Sequence, residues 1–327
     1  MSKTVIAIAA SAIVLFGMLF VLSQGEGNRS GTSTITFFCA ASNRAVMEEI
    51  RQAYEKETGR SVEIQYGPSQ TLLSQIEVSK MGDLYLPADI SYLEIARDKK
   101  LVAEILPIAR MEAVLVVPKG NPKNIQSLSD LFNPDHKVVQ ANPDAAAIGK
   151  VTRRVLTESG QWEKIDQATM AYRTTVNDVA NDVLVGAADV GIVYDAVLHT
   201  YPDLEYVEIQ ELAPAASQVS IGVIQSSKQP AAALHFARYV SAQDRGLKSY
   251  KQHGFRVGEG DQWSDVPELN IYAGSMLRPA IEDTIAAFRK REGVLVTTLY
   301  NGCGILVGQM KAGQKPDAYF ACDKEFM

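Results

Sequence analysis

From Thr34 onward, short apolar runs of strand length alternate with amphipathic helical patterns, and few folds accept that alternation. Residues 35–41 form an apolar run, after which Val46, Met47, Ile50, Ala53 and Tyr54 recur at helical spacing. Ser42 stands at the junction. It can cap the helix, or it can offer its hydroxyl and backbone N–H to a bound oxyanion. Residues 61–66 alternate with period two as a second strand, Gly67-Pro68-Ser69 turns the chain, and Leu72, Leu73 and Ile76 mark a helix over 71–80. Ser69 thus repeats the position of Ser42. Residues 83–88 read as a third strand and 91–97 as a helix. Elements in this order build a parallel sheet with right-handed crossovers, whose ligands sit beyond the carboxyl ends of the strands. Ser42 and Ser69 are therefore expected to approach one crevice from adjacent strand ends.

Residues 113–118 are a further strand and the expected crossing into a second lobe. A short helix over 126–132, a strand over 137–141 and a loop over 142–149 lead to a helix over 150–159. A strand over 168–173 precedes Thr175, which opens a helix running to about residue 185. Residues 189–194 form a buried strand ending in Tyr194, 218–225 the return strand, and 231–240 and 242–252 the closing helices. Lobe one is expected over 34–112 and 218–257, and lobe two over 113–217. Each helix start in this scheme presents unpaired amides and the positive end of its dipole.

A chain of 327 residues has room for two such lobes, and 46% hydrophobic content indicates a globular protein. A formal net charge of −6 argues against a nucleic-acid surface, but not against an anion held by neutral N–H and O–H donors. The odd count of three cysteines, Cys39, Cys303 and Cys322, gives no disulfide framework; none has Cys-x-x-Cys spacing, the four histidines are scattered, and no metal-site signature is present. Cys39, inside the first strand, reads as a small core residue. No phosphate-binding loop, Gly-x-Ser-x-Gly elbow, His-Glu-x-x-His or Gly-x-Gly-x-x-Gly is present, so neither an enzyme nor a resident cofactor is expected. Asp89 reads as a helix cap rather than half of a catalytic carboxylate pair. Residues 5–22 are an apolar run of 18 without a charge. They read as a signal peptide or a membrane anchor, joined by a polar linker to residue 33. The length of the run and the lack of an Ala-x-Ala site favour the anchor. Either way the rest of the chain is exported, to the periplasm or to the outer face of the cytoplasmic membrane.

The order Phe-Cys-Ala-Ala-Ser42, Tyr-Gly-Pro-Ser69-Gln-Thr-Leu, Gly-Asp83-Leu-Tyr-Leu-Pro-Ala-Asp89, Asn142-Pro, Val176-Asn-Asp-Val and Gly191-Ile-Val-Tyr194 resembles the molybdate-binding proteins of ABC importers. Tyr250-Lys-Gln-His-Gly-Phe255 is similar to that family's closing segment. The resemblance covers residues 34–257. It implies a two-lobed type II periplasmic binding protein that closes on molybdate or tungstate and delivers it to a membrane permease. It also implies the ligand-binding set. Ser42 and Ser69 match serines that donate hydroxyl and amide hydrogens, Val176 matches a backbone donor, and Tyr194 matches a tyrosine whose hydroxyl completes the shell. The remaining amide falls at Ala147-Ile148, where the family's Pro-Ala-Gly reads Ala147-Ile148-Gly149, and Ile148 is taken first. Arg44, beside Ser42, is expected on the exposed helix face. Turned inward, it would favour sulfate, phosphate or a carboxylate. A membrane-anchored sensor or scaffold using the same cleft is the alternative of a different class.

From Glu268 the pattern starts again. Leu269-Asn-Ile-Tyr-Ala-Gly-Ser275 echoes the first strand, and Ile281, Ile285 and Phe288 echo the helix stripe. Tyr300-Asn-Gly-Cys303 echoes Tyr66-Gly-Pro-Ser69, and Pro316-Asp317-Ala-Tyr-Phe-Ala-Cys-Asp323 echoes residues 82–89. Residues 268–327 are therefore expected to be an incomplete second solute-binding domain, a partial repeat of lobe one, with Cys303 in place of the second serine.

Overall fold

A computed structural model describes residues 34–327. The expected signal or anchor at 5–22 lies outside them. Among the described residues no helix is long and apolar enough to cross a membrane.

β1 (Ile35–Ala40) passes through a 3-10 turn (Ala41–Asn43) into α1 (Arg44–Thr58). β2 (Val62–Gly67), α2 (Ser69–Ser79), β3 (Leu84–Leu86) and α3 (Ser91–Asp98) follow. β4 (Val102–Pro118) then leads to β5 (Val138–Ala141), α4 (Ala147–Glu158), α5 (Trp162–Ala168), β6 (Thr169–Arg173), α6 (Val176–Leu184), β7 (Val190–Tyr194) and β8 (Leu204–Val207). β9 (Ala216–Ile224), α7 (Pro230–Ser241), α8 (Gly246–Gln252) and β10 (Arg256–Val257) complete this part.

The strands run in the order β2-β1-β3-β9-β4-β7-β5-β6, with β8 and β10 also paired to β4. β1 is parallel to β2 and β3, and β5 is parallel to β6 and β7. The two lobes thus share one local order, 2-1-3 and 6-5-7. Two antiparallel strands join them. β4 pairs with β9 from Val102 to Glu112, then with β7 from Ala113 to Val116 and with β8 from Leu115 to Pro118. A single strand that serves both sheets gives the lobes a shared, narrow connection, the arrangement a hinge requires.

β4 starts well before the strand expected at 113. Register shifts between Val102 and Ile105 and between Pro107 and Ala109 break its period-two pattern. α2 and α4 begin at Ser69 and Ala147, earlier than the expected 71 and 150, and α5 and β8 were not expected at all. α1 buries Val46, Met47, Ile50 and Tyr54 and stops at Gly59, whose φ of 70° is the left-handed cap that glycine adopts freely. The Tyr54 ring packs against Phe236, 4.7 Å between centroids, and its hydroxyl meets His235 Nδ1 at 2.8 Å. That contact ties the first helix of lobe one to α7, far along the chain.

The C-terminal residues form β11 (Glu268–Gly274), α9 (Arg278–Glu292), β12 (Leu295–Asn301), α10 (Cys303–Lys311) and β13 (Ala318–Phe320). Their sheet has the order β12-β11-β13, all parallel. Leu269 pairs with Val296 and Ile271 with Ala318, as Ile35 pairs with Val62 and Phe37 with Leu84. Asp317 accepts the Asn270 amide at 2.7 Å, as Asp83 accepts the Thr36 amide at 2.8 Å. α9 packs on α7, where Arg238 Nη1 donates to the Glu292 carbonyl at 2.9 Å.

Candidate functional site

Six strand ends converge on one small cavity. Its lining comes from the end of β1 (Ala40, Ala41, Ser42), of β2 (Gly67, Pro68, Ser69) and of β3 (Ala88). The other lobe contributes Ala146, Ala147 and Ile148 after β5, Thr175 and Val176 after β6, and Tyr194 at the end of β7. All five residues expected at the site therefore meet there. About 20 Å³ of the cavity is open to the centre of a water-sized sphere, so it suits a small guest.

Ser42 does not cap α1. The 3-10 turn places it one turn before the helix, and neither it nor Asn43 makes a side-chain cap. Its Oγ instead accepts a hydrogen bond from Asn43 Nδ2 at 3.1 Å, and Asn43 Oδ1 accepts from Tyr250 Oη at 3.0 Å. Ser69 Oγ accepts the Ala88 amide at 3.1 Å, while the Ser69 carbonyl accepts from Tyr85 Oη at 2.8 Å. Each serine oxygen thus already receives a proton from a buried neighbour. Its own O–H remains for a guest that accepts.

Backbone donors complete the set. The helix starts at Ser69 and Ala147 have no side-chain cap, so no capping side chain takes up their first-turn amides. At α6, Thr175 and Asp178 close a capping box: Asp178 Oδ2 accepts the Thr175 amide at 2.9 Å and Thr175 Oγ1 accepts the Asp178 amide at 3.2 Å. The Val176 amide lies inside that box but outside its hydrogen bonds. Gly149 lets α4 reach the site, because a Cβ on it would lie 2.4 Å from the Ala141 carbonyl oxygen. Tyr194 Oη and Ser217 Oγ are 2.8 Å apart. Burial first, and the Asp89 carboxylate second, push the Tyr194 hydroxyl well above its ordinary range, so it keeps its proton.

No cationic side chain lines the cavity. Arg44 turns away, its guanidinium 4.5 Å from the centre of the Tyr66 ring. Asp89 accepts the Ser91 amide at 3.1 Å, and Asp83 is occupied by the Thr36 amide, Ser227 and Gln229. The carboxylates near the site are thus spent on backbone and side-chain donors. The lobes are closed on each other. The Gln70 amide donates to the Ala145 carbonyl at 3.0 Å, and Lys150 Nζ donates to Ser91 Oγ at 3.0 Å while lying 4.3 Å from the Tyr92 ring centre.

The supporting residues Asn43, Tyr85, Ser217 and Tyr250 were not expected from the sequence. Only the Thr-x-x-Asp pattern at 175–178 carried a local signal. The others act across separations that no short motif records.

Two α/β lobes on paired crossing strands, closed over a donor-lined pocket at the strand ends, define a type II periplasmic binding protein. The sequence profile of the bacterial extracellular solute-binding protein family matches residues 35–256 and again 269–327, and the chain belongs to that family. It is a solute-binding protein, not an enzyme. Among its relatives, the molybdate-binding protein ModA of Mycobacterium tuberculosis is 28% identical over 252 residues, covering 76% of this chain and 94% of that protein. A putative ABC transporter substrate-binding lipoprotein of Bacillus subtilis, YvgL, is 28% identical over 251 residues, covering 72% of this chain and 94% of that one. In structure, the periplasmic molybdate-binding protein of Azotobacter vinelandii superposes with a TM-score of 0.60 at 19% identity, over 69% of this chain and all (100%) of that one. The substrate-binding domain of a putative molybdenum ABC transporter from Clostridium difficile gives 0.53 at 23%, over 69% and 99%. These two likenesses show the fold.

Proposed function

We propose that this chain is the extracytoplasmic receptor of an ABC importer for a small tetrahedral oxyanion, with molybdate or tungstate as its ligand. Ser42, Ser69, Ile148, Val176 and Tyr194 supply the donors. One observation carries the reading: a cavity closed between two lobes and lined by hydroxyls and helix-start amides, with both serine oxygens already occupied as acceptors. A fully ionised oxyanion offers only acceptors, and such a shell meets it without a counter-charge. The names of the relatives support the same ligand and the same kind of importer.

The N-terminal segment at 5–22 serves export or anchoring, and the partner is the membrane permease of the importer. Residues 34–112 and 218–257 form lobe one and 113–217 lobe two. Residues 268–327 repeat the opening elements of lobe one. The second profile match and the shared strand registers support that assignment. Phe288 is 42% exposed, whereas Tyr54, at the same place in its helix, is fully buried.

Calorimetric titration of the chain from residue 34 onward with molybdate, tungstate, sulfate and phosphate tests the proposal. Tight binding of the first two, abolished by Ser42→Ala with Tyr194→Phe, is expected. Binding of sulfate or phosphate alone would overturn the ligand. Binding of no oxyanion would overturn the receptor role in favour of an anchored sensor or scaffold.

A further inference from the structure

The C-terminal sheet repeats the geometry around Ser69 with sulfur in place of oxygen. Cys303 opens α10 as Ser69 opens α2, and Cys322 follows β13 as Ala88 follows β3. The Cys322 amide donates to Cys303 Sγ at 3.2 Å, where the Ala88 amide donates to Ser69 Oγ at 3.1 Å. The Tyr319 hydroxyl reaches the Cys303 carbonyl at 3.5 Å, where Tyr85 reaches the Ser69 carbonyl at 2.8 Å. The register also puts Met276, not Ser275, at the position of Ser42.

Three changes at this spot fit one another. Ala40, Ser69 and Ala88 become Gly274, Cys303 and Cys322. The two sulfurs are 2.7 Å apart. They lie over Gly274, where a Cβ would meet Cys322 Sγ at 2.0 Å and Cys303 Sγ at 2.9 Å. The alanine found at the corresponding place in β1 would collide with the pair. Two cysteines in contact, over a glycine that makes room for them, on an exported chain, are the setting in which a disulfide forms and persists.

We propose that Cys303 and Cys322 form a disulfide in the exported protein, joining the end of β13 to the start of α10. Cys322 is exposed and meets the oxidant, a protein or small-molecule disulfide. Its thiolate attacks one sulfur of that disulfide and releases the other as a thiol, leaving a mixed disulfide. The Cys303 thiolate then attacks Cys322 Sγ and displaces the second thiol. One protein S–S bond forms, the incoming S–S bond is lost, and two electrons and two protons leave with the two thiols. The Cys322 amide, which donates to Cys303 Sγ at 3.2 Å, favours the Cys303 thiolate in the second step. Once oxidised, neither sulfur carries a proton, so this half-site offers no side-chain donor where Ser69 offers one. Cys39 stays outside the reaction, buried in β1 with its thiol pushed well up by burial.

The full chain, exported by a bacterial host and also equilibrated in a glutathione redox buffer, is denatured without reductant and alkylated. Intact mass is expected to show one alkylated cysteine, rising to three after reduction, with a peptide pair linking Cys303 to Cys322. Cys322→Ser is expected to show two free thiols and no linked pair. Three free thiols in the redox-equilibrated chain would overturn the proposal. So would a linkage through Cys39. Three free thiols with a retained zinc or copper ion would overturn it in favour of a metal site.

Discussion

Replacing Ser69 by alanine separates the two tasks of its hydroxyl. As an acceptor, Ser69 Oγ satisfies the buried Ala88 amide at 3.1 Å, and the residue is only 2% exposed. Stranding that amide costs about 1–3 kcal/mol of stability, a fall of several degrees in melting temperature for a domain of this size. In the donor role proposed for it, the same hydroxyl would give a bound oxyanion one charge-assisted hydrogen bond, worth about 1.5–3 kcal/mol, so affinity should fall about 10- to 150-fold. Ser69→Cys distinguishes the tasks. An amide-to-sulfur contact at 3.2 Å already exists at Cys303, so a thiol at position 69 should keep the Ala88 amide paired and restore most of the stability. A thiol is a weak donor, so most of the affinity loss should remain. Calorimetric titration with molybdate beside thermal unfolding reads both quantities on the same samples. A folded Ser69→Ala variant that binds within about twofold of the parent would refute the assignment of this hydroxyl as a ligand donor. So would a Ser69→Cys variant that recovers full affinity.

Gly149→Ala should cost about 1–3 kcal/mol and weaken binding together with stability, because the new Cβ meets backbone rather than a side chain that can swing away. An unchanged melting temperature would refute that. Lys150→Met removes the Ser91 hydrogen bond and the Tyr92 ring contact that hold the lobes together. About 1 kcal/mol lost from the closed state alone predicts about fivefold faster ligand release with little change in association, measured by stopped flow. An unchanged release rate would count against these contacts as the latch. Burial pushes the Asp195 carboxyl from 3.8 up to about 6. The folded chain therefore holds this proton more tightly than the unfolded one. The stability it contributes is full below about pH 4 and is lost as pH rises through 6. Asp195→Asn should flatten that fall in denaturant titrations run between these pH values, and an unaltered slope would refute the shift.

Local pattern made much of the fold legible. Apolar runs alternating with helical stripes specify parallel strands and crossovers, and strand-to-helix junctions mark where amides are left unpaired. Ser42 and Ser69 stand out on that ground alone, since both follow a strand end. Where tertiary pairing overrides local period, the sequence misleads. β4 is longer than its pattern shows because its irregular first half is held by β9. α4 starts early because the close approach of Gly149 to the backbone at 141–143 fixes its first turn.

What the sequence determined by itself is the class of fold, the chemistry of neutral donors at helix starts, and the order in which they occur along the chain. What only the tertiary structure decided is which lone pairs are already taken. Asn43 occupies Ser42, the Ala88 amide occupies Ser69, and Tyr250 orients Asn43 from 207 positions away. It also decided that Cys303 and Cys322 are neighbours. Hydrogen-bond partners and thiol contacts are set by where chain segments meet in space, and a spacing along the chain does not encode that when the residues between are a whole lobe or a folded helix.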